Sequence, residues 1–243
     1  MLRRKRRALF FRDRRLQTEG SVSPGSDEYE DLSTYTEVDE HSQITITTTK
    51  FTATNYQYDH AESYVYKDFG AGYFGTNVEI QFELNVTSFN KFDSGLWGPA
   101  VICLTNTLGD IYDIAGGPVV RINPDSTDYT ANVEIGAGHD DYAAVTHSHV
   151  PAPATTYYCT FVTTYAVDNK SNVRLSIYTD SGRTTLLKDS LAHDVLAFGT
   201  SNITEAHGSQ TWRYLMVGAA GKDGDDDTGT CTFWVDNIKI VSH

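Results

Sequence analysis

Seven residues in the first half of the chain, Val78 to Leu84, constrain the fold more than any others. Val78, Ile80, Phe82 and Leu84 alternate strictly with Glu79, Gln81 and Glu83. Successive side chains of a strand point to opposite faces, so this stretch predicts a strand with one face in a core and the other in water. A single strand cannot bury its apolar face alone, and the rest of the chain supplies partners of the same kind.

Runs rich in β-branched and aromatic residues recur at 44–47, 64–66, 100–104, 119–122, 129–135, 157–165, 173–178 and 184–187. Gly, Asn, Asp, Ser and Pro fill the gaps between them. No segment has a convincing helical period. This pattern predicts an all-β sandwich or barrel. The last two runs, 212–218 and 231–240, read as an antiparallel pair joined by the acidic loop 222–229. In the second of them the alternation breaks at Asp236 and Asn237, which predicts a bulge.

Charge divides the chain unequally. In residues 1–15, eight Arg and Lys stand against Asp13 alone, a balance of +7. The remainder has 11 basic and 31 acidic residues, a balance of −20, and the two parts sum to the chain's net −13. Residues 1–15 read as a disordered or extended basic arm and 16–43 as an acidic linker, with the sandwich over 44–243. A body this acidic repels nucleic acid, while the arm attracts either nucleic acid or an acidic protein assembly.

No apolar stretch is long enough to span a membrane. The run Ala8 to Phe11 is also too short for a signal-peptide core, which needs about 7–15 apolar residues. Cys103, Cys159 and Cys231 each lie inside a strand-like run, which favours buried free thiols.

The segments that follow carry a resemblance. Tyr64-Val65-Tyr66-Lys67-Asp68-Phe69-Gly70-Ala71-Gly72-Tyr73-Phe74-Gly75 precedes the alternating strand. Tyr157 to Phe161 leads on to Val173 to Gly182, and Phe233 to Ile238 closes the chain. Together these segments resemble concanavalin A-like (laminin-G-like) jelly-roll domains of phage, viral and environmental bacterial proteins. The resemblance implies two antiparallel sheets packed face to face. It places ligands on the concave sheet or its rim, and the terminal strands side by side. It also implies a lectin-like recognition or structural module, displayed on a virus particle or other extracellular surface and docked by the basic arm.

Aromatic faces stack on the apolar faces of sugars. Tyr56, Tyr58, Tyr64, Tyr66, Tyr73, Trp97, Tyr129 and Tyr142 all fall in or beside loop-like segments, and of these Tyr66, Tyr73, Trp97 and Tyr129 are the candidate glycan contacts. Alternating tyrosine is equally good strand sequence.

Glu79-x-Gln81-x-Glu83 is similar to the Glu-x-Asp-x-Glu strand of family-16-type glucanases, whose first Glu is nucleophile and last is acid/base. Gln81 replaces the central Asp of that pattern. Residues i and i+4 of a strand lie about 13 Å apart at Cα, whereas a retaining pair brings its carboxyls to about 5–5.5 Å. The polar face of any half-buried strand looks the same, so catalysis by Glu79 and Glu83 is the alternative and a non-catalytic role the main expectation.

Asp223, Asp225 and Asp227 alternate in the acidic loop and could supply oxygen ligands to Ca2+. The spacing departs from an EF-hand, with Thr228 at the sixth position and Trp234 at the twelfth. A solvated hairpin loop accounts for the same residues, and no other cofactor is implied. His147 and His149, with His139 or Asp140 nearby, match no zinc signature and read as a surface loop.

Overall fold

The computed structural model describes residues 28–57, 63–75, 77–89, 99–109, 117–125, 130–137, 141–149, 152–166, 170–189, 211–218 and 230–241. Apart from one short 3-10 turn, Leu32–Thr34, every regular element among them is a strand. In chain order these are β1 (Thr36–Asp39), β2 (Ile44–Ile46), β3 (Lys50–Gln57), β4 (Ser63–Asp68), β5 (Val78–Phe89), β6 (Ala100–Thr105) and β7 (Pro118–Asp125). There follow β8 (Thr130–Ala137), β9 (Asp141–His149), β10 (Thr156–Ala166), β11 (Lys170–Tyr178), β12 (Leu186–Asp189), β13 (Tyr214–Val217) and β14 (Thr230–Val241).

The strands form two seven-stranded sheets, ordered β1-β4-β13-β6-β7-β8-β9 and β12-β11-β10-β5-β14-β3-β2. The first is named the β4 sheet and the second the β5 sheet. All their pairings are antiparallel, so the protein is the expected two-sheet jelly-roll sandwich. One core lies between the sheets. Ile80, Phe82, Leu84, Phe161, Phe233 and Val235 enter it from the β5 sheet, and Val65, Ile102, Leu104, Val120 and Leu215 from the β4 sheet.

The alternation of Val78 to Leu84 appears directly in burial, with each apolar residue buried and each polar one half-buried. The expected bulge in β14 is present too. Its register against β5 shifts between Asp236 and Lys239, and Asn237 has φ 52°. The two ends of the described chain lie side by side as well, since Tyr29 bridges Lys239 and the Glu30 N–H donates to the Ile238 carbonyl at 2.7 Å.

Four expectations need correction. The last two runs do not pair with each other. β13 sits between β4 and β6, while β14 sits between β5 and β3 in the other sheet. Both strands are interior, and neither the run of β13, buried on both faces, nor the alternation of β14 says which neighbour each takes.

The acidic linker is not all linker. Its described part carries the 3-10 turn, capped by the Asp31 carboxylate on the Ser33 N–H, and strand β1, which pairs with β4. Leu32 and Tyr35 are buried, two isolated apolar residues in an acidic stretch without a period. A Lys67–Glu30 ion pair at 2.7 Å ties this segment to β4.

The histidine-bearing loop is strand β9, in which alanines weaken the β signal. Strand β3 also had no clear signature, because Asn55 at φ 49° interrupts its alternation. Tyr56, expected in or beside a loop, lies on that strand and is a wholly buried core residue.

Candidate functional site

The outward face of the β4 sheet carries the aromatic and charged groups that best fit a binding role. Val65, Leu215, Val120 and Ile122 point into the main core, so the residues alternating with them point away from it. There Tyr64, Ala100, Cys103, Val119 and Met216 form a second, smaller apolar cluster, with Val38, Tyr66 and Leu108 packed against it. Register puts Tyr66 beside Met216 and Asp68 beside Tyr214 on adjacent strands.

The tyrosine rings run as a strip across β4 and β13. Tyr64 and Tyr66 lie 6.2 Å apart, and Tyr66 meets Tyr214 edge-on at 5.9 Å. Tyr64 is buried, while Tyr66 and Tyr214 are half-exposed.

The strip ends in a charged group. The Arg213 guanidinium stands 5.0 Å from the centroid of the Tyr214 ring and grips Asp68 through two hydrogen bonds, Nε to Oδ1 at 2.8 Å and Nη2 to Oδ2 at 2.5 Å. The Gly70 N–H also donates to Asp68, at 2.8 Å. Gly70 has φ +93°, a left-handed value that only glycine adopts without strain, which lets the chain turn tightly enough to aim that N–H. These donors, Arg213 foremost, hold the Asp68 carboxyl below the usual carboxylate range. Further along the same face, Arg121 and Thr105 are buried polar residues. Burial also pushes the Cys103 thiol up to about 12, so it is not a nucleophile at neutral pH.

Of the candidate glycan contacts, Tyr66 is in this strip and Tyr73 is not. Tyr73 packs between Phe69 at 4.6 Å and Phe74 at 4.9 Å, against the main core. There burial and the Glu30 carboxylate raise its pKa. Trp97, Tyr129, His139, Asp140, Asp223, Asp225 and Asp227 lie outside the described residues. Among the described residues no group of three or more His, Cys, Asp or Glu side chains could hold a metal ion.

Glu79 and Glu83 lie across the sandwich, on the outward face of the β5 sheet, and so share no surface with Tyr66. Glu79 accepts a hydrogen bond from the Gln81 amide at 2.8 Å, and Glu83 one from Asn237 at 3.0 Å. Register aligns Lys50, Asp236, Glu83, Tyr158 and Tyr178 in one row across five strands. Lys50 bridges Asp236 at 3.1 Å and caps the Trp234 ring at 4.2 Å. Each of the two glutamates thus accepts a hydrogen bond from a side-chain amide of its own.

Arg213, Tyr214 and Asp68 carry no joint signal in the sequence. The alternation of Tyr64 with Tyr66 and of Tyr214 with Met216 was the available signal. That β4 and β13 are neighbours was not readable, because 145 residues separate Asp68 from Arg213.

The architecture is that of the concanavalin A-like jelly roll. No family model matches this chain, and no curated protein matches its sequence. Solved structures do match. A double mutant of the alginate lyase Aly36B in complex with alginate tetrasaccharide superposes with a TM-score of 0.50 at 12% identity, over 91% of this chain and 98% of that one. A second structure of Aly36B gives 0.50 at 13% identity, over 90% of this chain and 98% of that one. The VIP36 exoplasmic/lumenal domain in its Ca2+/Man3GlcNAc-bound form gives 0.48 at 10% identity, over 89% of both chains.

Proposed function

We propose that the chain is a non-catalytic glycan-binding module and that the outward face of the β4 sheet is its contact surface. The observation that carries this reading is the Tyr64–Tyr66–Tyr214 strip ending in Arg213. Half-exposed rings offer stacking platforms for sugars, and the fixed Asp68–Arg213 pair offers hydrogen-bond acceptors and donors at their edge. The alginate tetrasaccharide bound by Aly36B, whose fold this chain shares, supports a carbohydrate ligand.

The proposal extends to display on a virus particle or other large assembly outside the cell, with residues 1–15 docking the module. The separation of +7 in that arm from −20 in the rest supports this. Loss of incorporation on deleting residues 1–27 would accord with docking, and normal incorporation would end that part of the proposal.

The test of binding is a glycan-array screen of the full chain with and without Ca2+, followed by a hydrolysis assay on every hit. Selective binding without turnover is the expected result. Loss of binding in chelator would make Asp223, Asp225 and Asp227 the ligands to examine. A blank array refutes the glycan reading, and turnover abolished by Glu83→Gln would establish the glucanase-like alternative instead.

A further inference from the structure

We infer that Arg213 makes this face selective for acidic glycans, those bearing a carboxylate on the sugar ring; the inference rests on the glycan-binding reading above. A guanidinium carries five N–H donors in a planar fork. Asp68 takes two of them, on the Nε–Nη2 side. The other three meet no acceptor among the described residues, and the side chain is 43% exposed.

The open edge, Nη1 and Nη2, has the spacing that receives a second carboxylate through two parallel hydrogen bonds. A neutral hydroxyl satisfies one donor there and brings no charge.

The group is held ready rather than free to swing. The Arg213 N–H donates to the Thr105 carbonyl at 3.2 Å, and its own carbonyl accepts from the Phe69 N–H at 3.1 Å. Asp68, anchored by Gly70, fixes the near edge of the fork, and the Tyr214 ring supports its plane. Little side-chain freedom is therefore lost on binding. A sugar ring bound along the strip against Tyr66 lies beside that guanidinium, which stands over the Tyr214 end of it, so a carboxylate on the ring comes within reach of the fork.

Asp68 also shapes the form of the selectivity. Its negative charge largely cancels that of Arg213 at long range, so recognition depends on short, directional hydrogen bonds. A lysine at this position would keep the charge and lose the fork.

The experiment uses the full chain and calorimetric titration with tetrasaccharides of alginate and of polygalacturonate, each beside its carboxyl-reduced, neutral counterpart. The expected result is at least tenfold tighter binding of one of the uronate forms than of its neutral counterpart. Arg213→Gln should abolish that preference, weakening the uronate form at least tenfold and the neutral form less, and Arg213→Lys should retain only part of it. Melting temperatures of the variants report folding independently.

Equal affinity for acidic and neutral forms overturns the inference, as does a preference that survives in Arg213→Gln. Binding of neutral array glycans with no binding of either uronate overturns the inference and leaves the glycan reading intact. Failure to bind any sugar overturns both.

Discussion

Gly218 directly follows β13 and faces the Phe51 ring of β3 in the opposite sheet. It has φ +87°, and a Cβ built on it would stand 2.1, 2.7 and 2.9 Å from three ring carbons of Phe51. Carbon atoms pack at about 3.5–4.0 Å, so Gly218→Ala forces the Phe51 ring back by more than about 1 Å in an interior packed at crystal density. That ring is wholly buried and lies 5.9 Å from Phe233, leaving it no easy retreat. Overpacking of this kind costs about 1–3 kcal/mol, and a left-handed backbone at a non-glycine residue costs about 1–2 kcal/mol more. The expected loss is about 2–5 kcal/mol out of a domain stability of about 5–15 kcal/mol.

Gly70→Ala provides the control. Gly70 has φ +93° but nothing within 4 Å of its Cβ position, so only the backbone cost of about 1–2 kcal/mol applies. Urea unfolding measures both variants, with the midpoint falling and the slope unchanged. Equal destabilisation of the two, or a Gly218→Ala loss within the Gly70→Ala range, would refute the claim that the sheets approach this closely at Gly218.

Three further outcomes are expected. The buried Tyr56 hydroxyl lies 2.5 Å from the Ser63 carbonyl and 2.6 Å from that of Gly218, tying β3 to the opposite sheet, so Tyr56→Phe should cost about 1–3 kcal/mol in urea unfolding. The Asp68 carboxyl is lowered in the folded chain, so its pairing stabilises above the unfolded value of about 3.9 and is lost as pH falls through the folded value; the melting gap between wild type and Arg213→Gln should therefore narrow as the pH is taken down below the unfolded value, and a gap that stays constant would contradict the pairing. Glu79→Gln and Glu83→Gln should leave glycan binding unchanged in calorimetry, since both residues lie on the far face of the sandwich.

The fold was legible where local pattern decides the structure. Val78 to Leu84 shows its buried face in the sequence, and Asp236-Asn237 shows its bulge. It was not legible where long-range pairing decides. Nothing in Tyr214 to Val217 says that its neighbours are β4 and β6, and nothing in Leu32 or Tyr35 marks them as core residues within an acidic stretch. The same limit hid the site. Tyr66 stands out in the sequence as one of several aromatics, but its neighbours Tyr214 and Arg213 come from β13 and the residue before it, far along the chain. Tyr73, in the same aromatic run as Tyr66, packs on the main core because the turn at Gly70 and Gly72 carries it away from the outward face.

The most direct test of the central claim compares the two faces. Calorimetric titration of the strongest array hit into wild type, Tyr66→Ala/Tyr214→Ala and Tyr158→Ala places the ligand on one sheet or the other. Burial of an aromatic face against a ligand is worth about 1 kcal/mol or more, so loss of the two rings of the strip should weaken binding by about tenfold or more, while Tyr158→Ala binds as wild type does. Unchanged binding in the double variant, with loss in Tyr158→Ala, would contradict the assignment of the β4 sheet as the contact face.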